Sequence, residues 1–235
     1  MSAFFSTFAA GEPDDDGDIS TEVELNVTND TLETIYRVNY KIWFLGDENA
    51  CFEECDSYED VFLAPGDSTA ISPWGRVNQR DVKESALSAR ASGDLCRRDF
   101  AILGKVAVPR PGESVRCQRQ VEFDWYTGPL TAVISCTEPD SDGDFSIEYR
   151  CLIANKGHKH LKAVEVKAQL IDADGVEIDT SDCQEEIFAA SAKLINGSFW
   201  RPKAKQIEGA TAVLCLKALV PVETFEASET TEIGD

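Results

Sequence analysis

An internal repeat constrains this chain more than any other feature. The segment EPDDDGDIS begins at Glu12 and EPDSDGDFS begins at Glu138, 126 residues later, with seven of the nine positions identical. At the same offset Asn29 meets Asn155, and EDVFLA meets EEIFAA. After two shifts of register, KVAVP aligns with KALVP near the end of the chain. Agreement of this extent indicates a duplicated domain, and two copies are too few for a solenoid.

Each copy has the pattern of β-strands. STEVELNV, IYRVNYKIWFL, EYRCLIA and KAVEVKAQLI alternate apolar and polar residues and are rich in valine, isoleucine and tyrosine, which is typical of half-buried strands. Asp-Gly and Pro-Gly pairs separate these segments and favour tight turns. The sequence therefore predicts an all-β protein of two tandem antiparallel β-sandwich domains.

The repeat also predicts domain boundaries. We expect a first sandwich over residues 1–124 with an insertion near 92–103, and a second sandwich over residues 130–222. The Trp125 segment, QVEFDWYTGPL, contains a Gly-Pro break, so residues 125–129 are predicted to join the domains. The last segment, 223–235, is acidic and lacks a clear strand period, and we expect it to be a disordered tail.

A family resemblance supports this fold. VTNDTLETI, a strand, a turn and then LAPGDS, between Glu22 and Ile71, resemble bacterial immunoglobulin-like sandwich domains of the FxLYD kind. The second copy, Glu148 to Ile195, has FAASAK where the first has LAPGDS, so its Pro-Gly turn is lost. The resemblance implies immunoglobulin-like domains with a scaffolding or adhesion role.

Net charge narrows the choice of partner. The formal charge of −21 would repel nucleic acid and anionic membranes, and no apolar run approaches the roughly 20 residues of a membrane span. The initial MSAFFSTFAAGEP lacks a basic segment and aligns with internal residues, so it is predicted to be a first strand. A cytoplasmic location follows, with leaderless export or incorporation into an extracellular or viral particle as alternatives.

Charge is unevenly distributed in the first copy. Residues 11–67 contain 17 acidic and two basic residues, whereas residues 68–120 contain 10 basic and five acidic ones. Arginine forms bidentate bonds with carboxylates, so this basic strip predicts self-association or binding of another protein, unless its charges pair within the domain. The predicted partner-binding residues are Arg76, Arg80, Arg90, Arg97, Arg98 and Trp125.

The two acidic loops have two interpretations. In the first, Asp-Gly supplies the positive φ angle of a hairpin turn. In the second, alternating carboxylates around a glycine bind Ca²⁺, although the downstream glutamate of an EF-hand is absent. The candidate calcium ligands are Asp14, Asp16, Asp18, Asp140, Asp142 and Asp144.

Cysteine and tryptophan add further hypotheses. Cys136, Cys151 and Cys215 align with apolar residues of the first copy, so we expect buried thiols. Cys51 and Cys55 of CFEEC could form a disulfide within a hairpin or, together with Cys96 and Cys117, hold zinc. Trp74 and Trp200 align and are predicted to hold equivalent core or core-edge positions, with a paired surface site for a partner or sugar as the alternative.

No catalytic motif accompanies this fold. The two histidines, His158 and His160, lie in a predicted loop, and the phosphate-binding, nucleophile-elbow and HExxH motifs are absent from the sequence. We therefore expect a non-enzymatic protein without a cofactor, acting as a protein-binding or structural component of an assembly. The alternative is an extracellular or surface adhesion module with calcium-binding loops.

Overall fold

The computed structural model describes residues 3–46, 51–78, 86–199 and 207–232, and it is an all-β structure. Its strands recur along the whole described chain. Their bounds are β1 Ala3–Pro13, β2 Asp18–Thr28, β3 Ile35–Leu45, β4 Cys51–Leu63, β5 Ser68–Ile71, β6 Trp74–Asn78, β7 Ala86–Ala107, β8 Ser114–Phe123, β9 Tyr126–Cys136, β10 Ile147–Asn155, β11 Leu161–Ile171, β12 Glu177–Ile187, β13 Ser191–Phe199 and β14 Thr211–Glu232. In the described part of the chain, no helix is both long enough and apolar enough to span a membrane.

The chain forms two compact units. Unit 1 consists of Met1–Arg97 with Pro221–Asp235, and unit 2 consists of Arg98–Val220. The two long strands, β7 and β14, each contribute residues to both units. Unit 1 is therefore built from both ends of the chain.

Unit 1 contains two antiparallel layers. One sheet has the order β1-β2-β5, with β6 also paired to β2. The other has the order β14-β7-β3-β4, formed by the second half of β14 and the first half of β7. Its core includes Leu25, Ile42, Phe44 and Leu87, all fully buried, together with Phe225 from the end of the chain.

Unit 2 has the same kind of architecture. One sheet has the order β13-β10-β9-β8, and the other has the order β12-β11-β14-β7. Its core contains Trp125, Tyr149 and Phe199. The Tyr149 hydroxyl donates to the Val166 carbonyl at 3.2 Å and thus links strands of the two sheets.

The strands of the two units recur at the offset of the sequence repeat. β3 (Ile35–Leu45) and β11 (Leu161–Ile171) are 126 residues apart at both ends and share one pattern of buried and partly buried positions. The pair Ala10 and Thr21 of β1 and β2 corresponds to Cys136 and Ile147 of β9 and β10. The alternation that predicted each strand therefore also places its buried face.

The chain is divided differently from the prediction. The first domain was expected to end at residue 124, but unit 2 begins at Arg98. The expected joint at 125–129 is wrong because Trp125 is buried in the core of unit 2 and Tyr126 begins β9. The expected insertion at 92–103 lies inside the continuous strand β7.

The predicted disordered tail is also wrong over its described residues. β14 extends to Glu232, and Phe225 within it is 3% exposed. The acidic composition predicted disorder, because glutamate recurs at every third position of this segment. These glutamates obscure the apolar position that the strand buries. The alignment of Trp74 with Trp200 lies outside the described side chains.

Candidate binding face

The outer face of the β4-β3-β7 sheet in unit 1 carries aromatic and charged side chains that contact one another. In β3, Val38, Tyr40, Ile42 and Phe44 point into the core. The intervening residues alternate to the opposite side of the sheet. A register shift between Ile35 and Arg37 adds a residue to that side. We call this surface the outer face; its main residues are Arg37, Lys41, Trp43, Glu54, Tyr58, Asp60 and Arg90.

Glu54 of β4 orders one end of the outer face. It lies opposite Trp43 in the sheet register and accepts a 3.0 Å hydrogen bond from the indole Nε1. The Lys41 ammonium forms an ion pair with the same carboxylate and lies 5.4 Å from the centre of the Trp43 ring. The hydrogen bond between Glu54 and Lys41 raises the pKa of Lys41 and lowers the pKa of Glu54. Both groups are therefore charged at neutral pH.

Arg37 orders the other end. Its side chain is 7% exposed and donates from Nε to Asp60 Oδ1 at 2.7 Å. The guanidinium carbon lies 3.9 Å from the centre of the Tyr58 ring, and Tyr58 is itself 52% exposed. Because Arg37 is buried and bonded to Asp60, its guanidinium holds the exposed Tyr58 ring in one orientation.

The corresponding face of unit 2 lacks these aromatic groups. At the offset of 126 residues, Gln169 occupies the position of Trp43 and Gln184 that of Tyr58, and Ala163 replaces Arg37. Gln169 Nε2 donates to Glu177 at 2.7 Å, and Lys217 pairs with Glu165 at 3.1 Å. Such polar pairs satisfy a solvated sheet face, so the fold itself does not require the aromatic residues of unit 1.

The predicted arginine strip is divided among different environments. Arg90 is exposed and lies opposite Trp43 in the register of β3 and β7, where it adjoins the outer face. Arg98 is exposed, whereas Arg97 is 18% exposed and donates to both oxygens of Glu33 at 3.0 and 2.9 Å. The Arg76 side chain and Arg80 lie outside the described part of the structure.

Trp125 is not a surface residue. It is 3% exposed, and its ring stacks on Phe123 with centres 5.1 Å apart. Its Nε1 donates to Asp99 Oδ2 at 2.8 Å. Its predicted partner-binding role is therefore wrong: the indole packs within unit 2.

The acidic loops form hairpin turns of one design. Asp14 Oδ1 accepts the backbone N–H groups of Asp16 and Asp18 at 3.0 and 2.9 Å. Asp140 Oδ1 accepts those of Asp142 and Asp144, both at 2.9 Å. Gly17 and Gly143 have φ angles of 80° and 79°, which glycine adopts without strain.

Ca²⁺ would compete with these turns for their first carboxylates. Among the described residues, no three histidine, cysteine, aspartate or glutamate side chains are grouped to hold a metal ion. A third turn, at Asp172, repeats the same hydrogen bonds, since its Oδ1 accepts the N–H groups of Asp174 and Val176, and Val176 stands where the acidic loops have their third aspartate. The turn interpretation therefore accounts for the geometry that these loops share.

All eight cysteines are free thiols. Cys51 and Cys55 lie in one strand, β4, where four residues span about 13 Å, and a disulfide requires Cα atoms about 4.4–6.8 Å apart. Cys136 and Cys151 are buried, as their alignment with apolar residues predicted, whereas Cys215 is partly exposed. The zinc alternative for Cys51, Cys55, Cys96 and Cys117 gains no group of ligands in the described structure.

The outer face was not predicted from the sequence. Its signal was available, because Arg37, Lys41 and Trp43 alternate with the apolar residues of β3, and Arg37 and Trp43 differ from their counterparts Ala163 and Gln169 in the second copy. Charges grouped by sequence segment did not indicate this face. Adjacent residues of a strand face opposite sides, so a basic segment is divided between core, ion pairs and solvent.

The fold and this site define an all-β sandwich protein with an ordered aromatic and charged face. No protein-family model matches the chain, and no curated protein matches it. Among solved structures, it is similar to a transglutaminase from red sea bream, with 9% sequence identity and a TM-score of 0.26. That match covers 100% of this chain and 32% of the transglutaminase, so the chain spans about a third of that protein's length.

Proposed function

We propose that the units are two immunoglobulin-like sandwiches that arose by duplication. The equal spacing of β3 and β11 supports this proposal, as does a shared buried asparagine after β2 and at the end of β10. Asn29 donates to the Glu33 and Leu63 carbonyls, and Asn155 donates to the Lys159 and Ile187 carbonyls. One polar side chain thus fixes the same loop in both units.

On this scaffold, we propose a non-catalytic protein-binding function in an assembly. The observation that carries it is the ordered aromatic and charged outer face of unit 1, which has a polar counterpart in unit 2. Tryptophan, tyrosine and arginine are the residues that contribute most at protein interfaces. Their fixed partners reduce the entropy that binding would otherwise cost.

The charges around the outer face indicate the chemistry of the partner. Strand β4 carries Glu53, Glu54, Asp56, Glu59 and Asp60, and the whole chain has a formal charge of −21. The proposed partner is therefore a protein surface with basic residues around an aromatic or apolar centre. Opposite charges would accelerate encounter, while Trp43 and Tyr58 would provide the buried contacts.

Substituting the residues of unit 2 into unit 1 tests this function. The double variant Trp43→Gln/Tyr58→Gln copies Gln169 and Gln184 onto the outer face. We expect it to remain folded but to lose a partner that the wild-type protein retains in quantitative affinity purification from its native host. A matched control, Phe188→Gln, changes a residue of unit 2 that is 65% exposed and should retain that partner.

The outcomes separate binding from folding. Circular dichroism should show similar melting temperatures for both variants, since each replaces side chains that are at least partly exposed. If the double variant keeps every partner of the wild type, the outer face is a solvated sheet surface and the proposal fails.

A further inference from the structure

Strand β1 has an edge whose counterpart in unit 2 is occupied. In unit 2, β9 pairs with β10 on one side and with β8 on the other, from Ser114 opposite Ser135 to Phe123 opposite Tyr126. In unit 1, β1 pairs with β2, and no described strand pairs with its other edge. Since β1 and β9 correspond at the repeat offset, the described part of unit 1 has no strand at the position that β8 fills in unit 2.

The exposed edge lacks the usual protection against pairing. Ala3 to Gly11 of β1 contains no charged residue, although the chain as a whole has 43 acidic and 22 basic residues. The edge strands β4 and β12 each carry five acidic residues, and β8 carries arginines. Charges on edge strands normally oppose pairing with another chain, and β1 departs from this pattern.

The outward side chains of β1 suit a second copy of the same strand. Phe4, near its start, is 50% exposed, and the small residue Ala9, near its end, is also exposed. Antiparallel pairing about a twofold axis sets the start of each strand beside the end of the other. Each Phe4 would then lie near the Ala9 of the other copy. The strand itself is uncharged from Ala3 to Gly11, and Arg90, Glu226 and Glu229 line one cleft with Ala3, Phe4 and Phe5.

The register of β1 with β2 leaves room for such pairing. A bulge between Phe5 and Thr7 places both Phe5 and Phe8 on the core side, where their rings are 6.3 Å apart. From Thr7 to Ala10 the pairing with β2 is regular. The core side is thus already filled from within unit 1, and the outer edge has hydrogen-bonding groups available for another strand.

We propose that two copies of the chain associate through their β1 strands, in antiparallel orientation, at the edge that β8 occupies in unit 2. The interaction is strand addition, so backbone hydrogen bonds provide much of the contact and Phe4 provides an apolar anchor. This proposal is independent of the outer face.

Placing charge on the edge tests the inference. Analytical ultracentrifugation of the wild-type protein should show a dimer whose population rises with concentration. The double variant Phe4→Lys/Ala9→Lys brings four lysines together in the dimer and should raise the dimer dissociation constant by about tenfold or more. The matched control Leu152→Lys/Leu194→Lys changes the charge equally at two exposed leucines of unit 2 and should leave the dimer unchanged.

Hydrogen exchange distinguishes this interface from others. Amides of β1 should exchange more slowly as the wild-type concentration rises, and this dependence should disappear in the Phe4→Lys/Ala9→Lys variant. Trp43→Gln/Tyr58→Gln should still dimerise, so loss of the outer-face function would not remove this interface. A wild-type protein that stays monomeric at all concentrations overturns the inference. So does a dimer that the leucine control weakens as much as the β1 variant does.

Discussion

Asn29 and Asn155 show how single buried polar groups determine the loops of this fold. Both are at most 1% exposed. Asn155 Nδ2 donates to the Lys159 and Ile187 carbonyls at 2.8 and 3.2 Å, and its Oδ1 accepts the Gly157 N–H at 3.0 Å. The side chain thereby replaces water for three backbone groups at the end of a strand.

Replacing Asn155 should destabilise the protein strongly, although only one small side chain is changed. Asn155→Ala leaves two carbonyls and one N–H without this partner, at about 1–3 kcal/mol for each buried group that water cannot reach. Urea denaturation should show a lower midpoint than for the wild type. Asn196→Ala, at an exposed position of β13, serves as the control and should unfold like the wild type. Equal midpoints for the two variants would contradict the bridging role.

Cys151 should be chemically inert in the native protein. Its side chain is fully buried, and burial raises its pKa to about 12, so the nucleophilic thiolate is suppressed. Mass spectrometry after brief alkylation at mildly alkaline pH should find the exposed Cys51 modified and Cys151 modified only as the protein unfolds. Labelling of native Cys151 at the rate of Cys51 would contradict this burial.

The same pKa shift has a defined effect on stability. Because the folded pKa exceeds the ordinary value of 9.0, the thiol contributes no pH dependence below about pH 9. Above that pH the unfolded chain loses its proton first, so the free energy of unfolding falls as pH approaches the folded value. In denaturation measured across this range, Cys151→Ala should show a shallower loss than the wild type, at the cost of lower stability at neutral pH.

At the scale of the element, the two repeated acidic sequences form hairpin turns with the same hydrogen bonds. Asp140 closes its turn by accepting two N–H groups and by donating its own N–H to the Asp144 carbonyl at 2.8 Å. The carboxylate of Asp142 is exposed. The first aspartate should therefore matter for folding, and the middle one should not.

Thermal unfolding can separate turn closure from calcium binding. We expect Asp140→Ala to lower the melting temperature, since about 0.5–1.5 kcal/mol is typical for each hydrogen bond removed, whereas Asp142→Asn should have little effect. Adding Ca²⁺ or a chelator should leave the wild-type melting temperature unchanged. A calcium-dependent rise that Asp142→Asn abolishes would instead support the binding loop.

The alternation of single strands was predictable, whereas their lengths and partners were not. IYRVNYKIWFL predicted β3 because its apolar residues recur at every second position, and the Asp-Gly pairs predicted the hairpin turns. The full length of β7 was harder to predict, because SGDLCRRDF interrupts the apolar period with charged residues that form ion pairs, such as Arg97 with Glu33. Trp125 had no local signal for burial, since its Asp99 partner lies 26 residues away.

At the scale of the molecule, the sequence repeat predicted the number of units but not which segments of the chain belong to each unit. Alignment assigns one contiguous segment to each copy. The structure instead gives both units a part of β7 and a part of β14. Such sharing depends on pairing between strands that are distant in sequence, for which a single chain has no periodic signal.

The end of the chain should therefore be required for the stability of unit 1. Phe225 is 3% exposed within the unit 1 core, close to Gly93 of β7. Phe225→Ala should cost about 3–5 kcal/mol, and deletion of residues 223–235 should destabilise the protein further, because β7 also loses hydrogen-bonding partners such as Thr230 for Ser88. Glu229→Ala, at an exposed position of β14, is the control and should unfold like the wild type.

Chemical denaturation compares the three variants, and hydrogen exchange should show the loss of protection in β7 between Ala86 and Arg97. If the deletion variant unfolds like the wild-type protein, residues 223–235 are dispensable for folding, as a disordered tail would be.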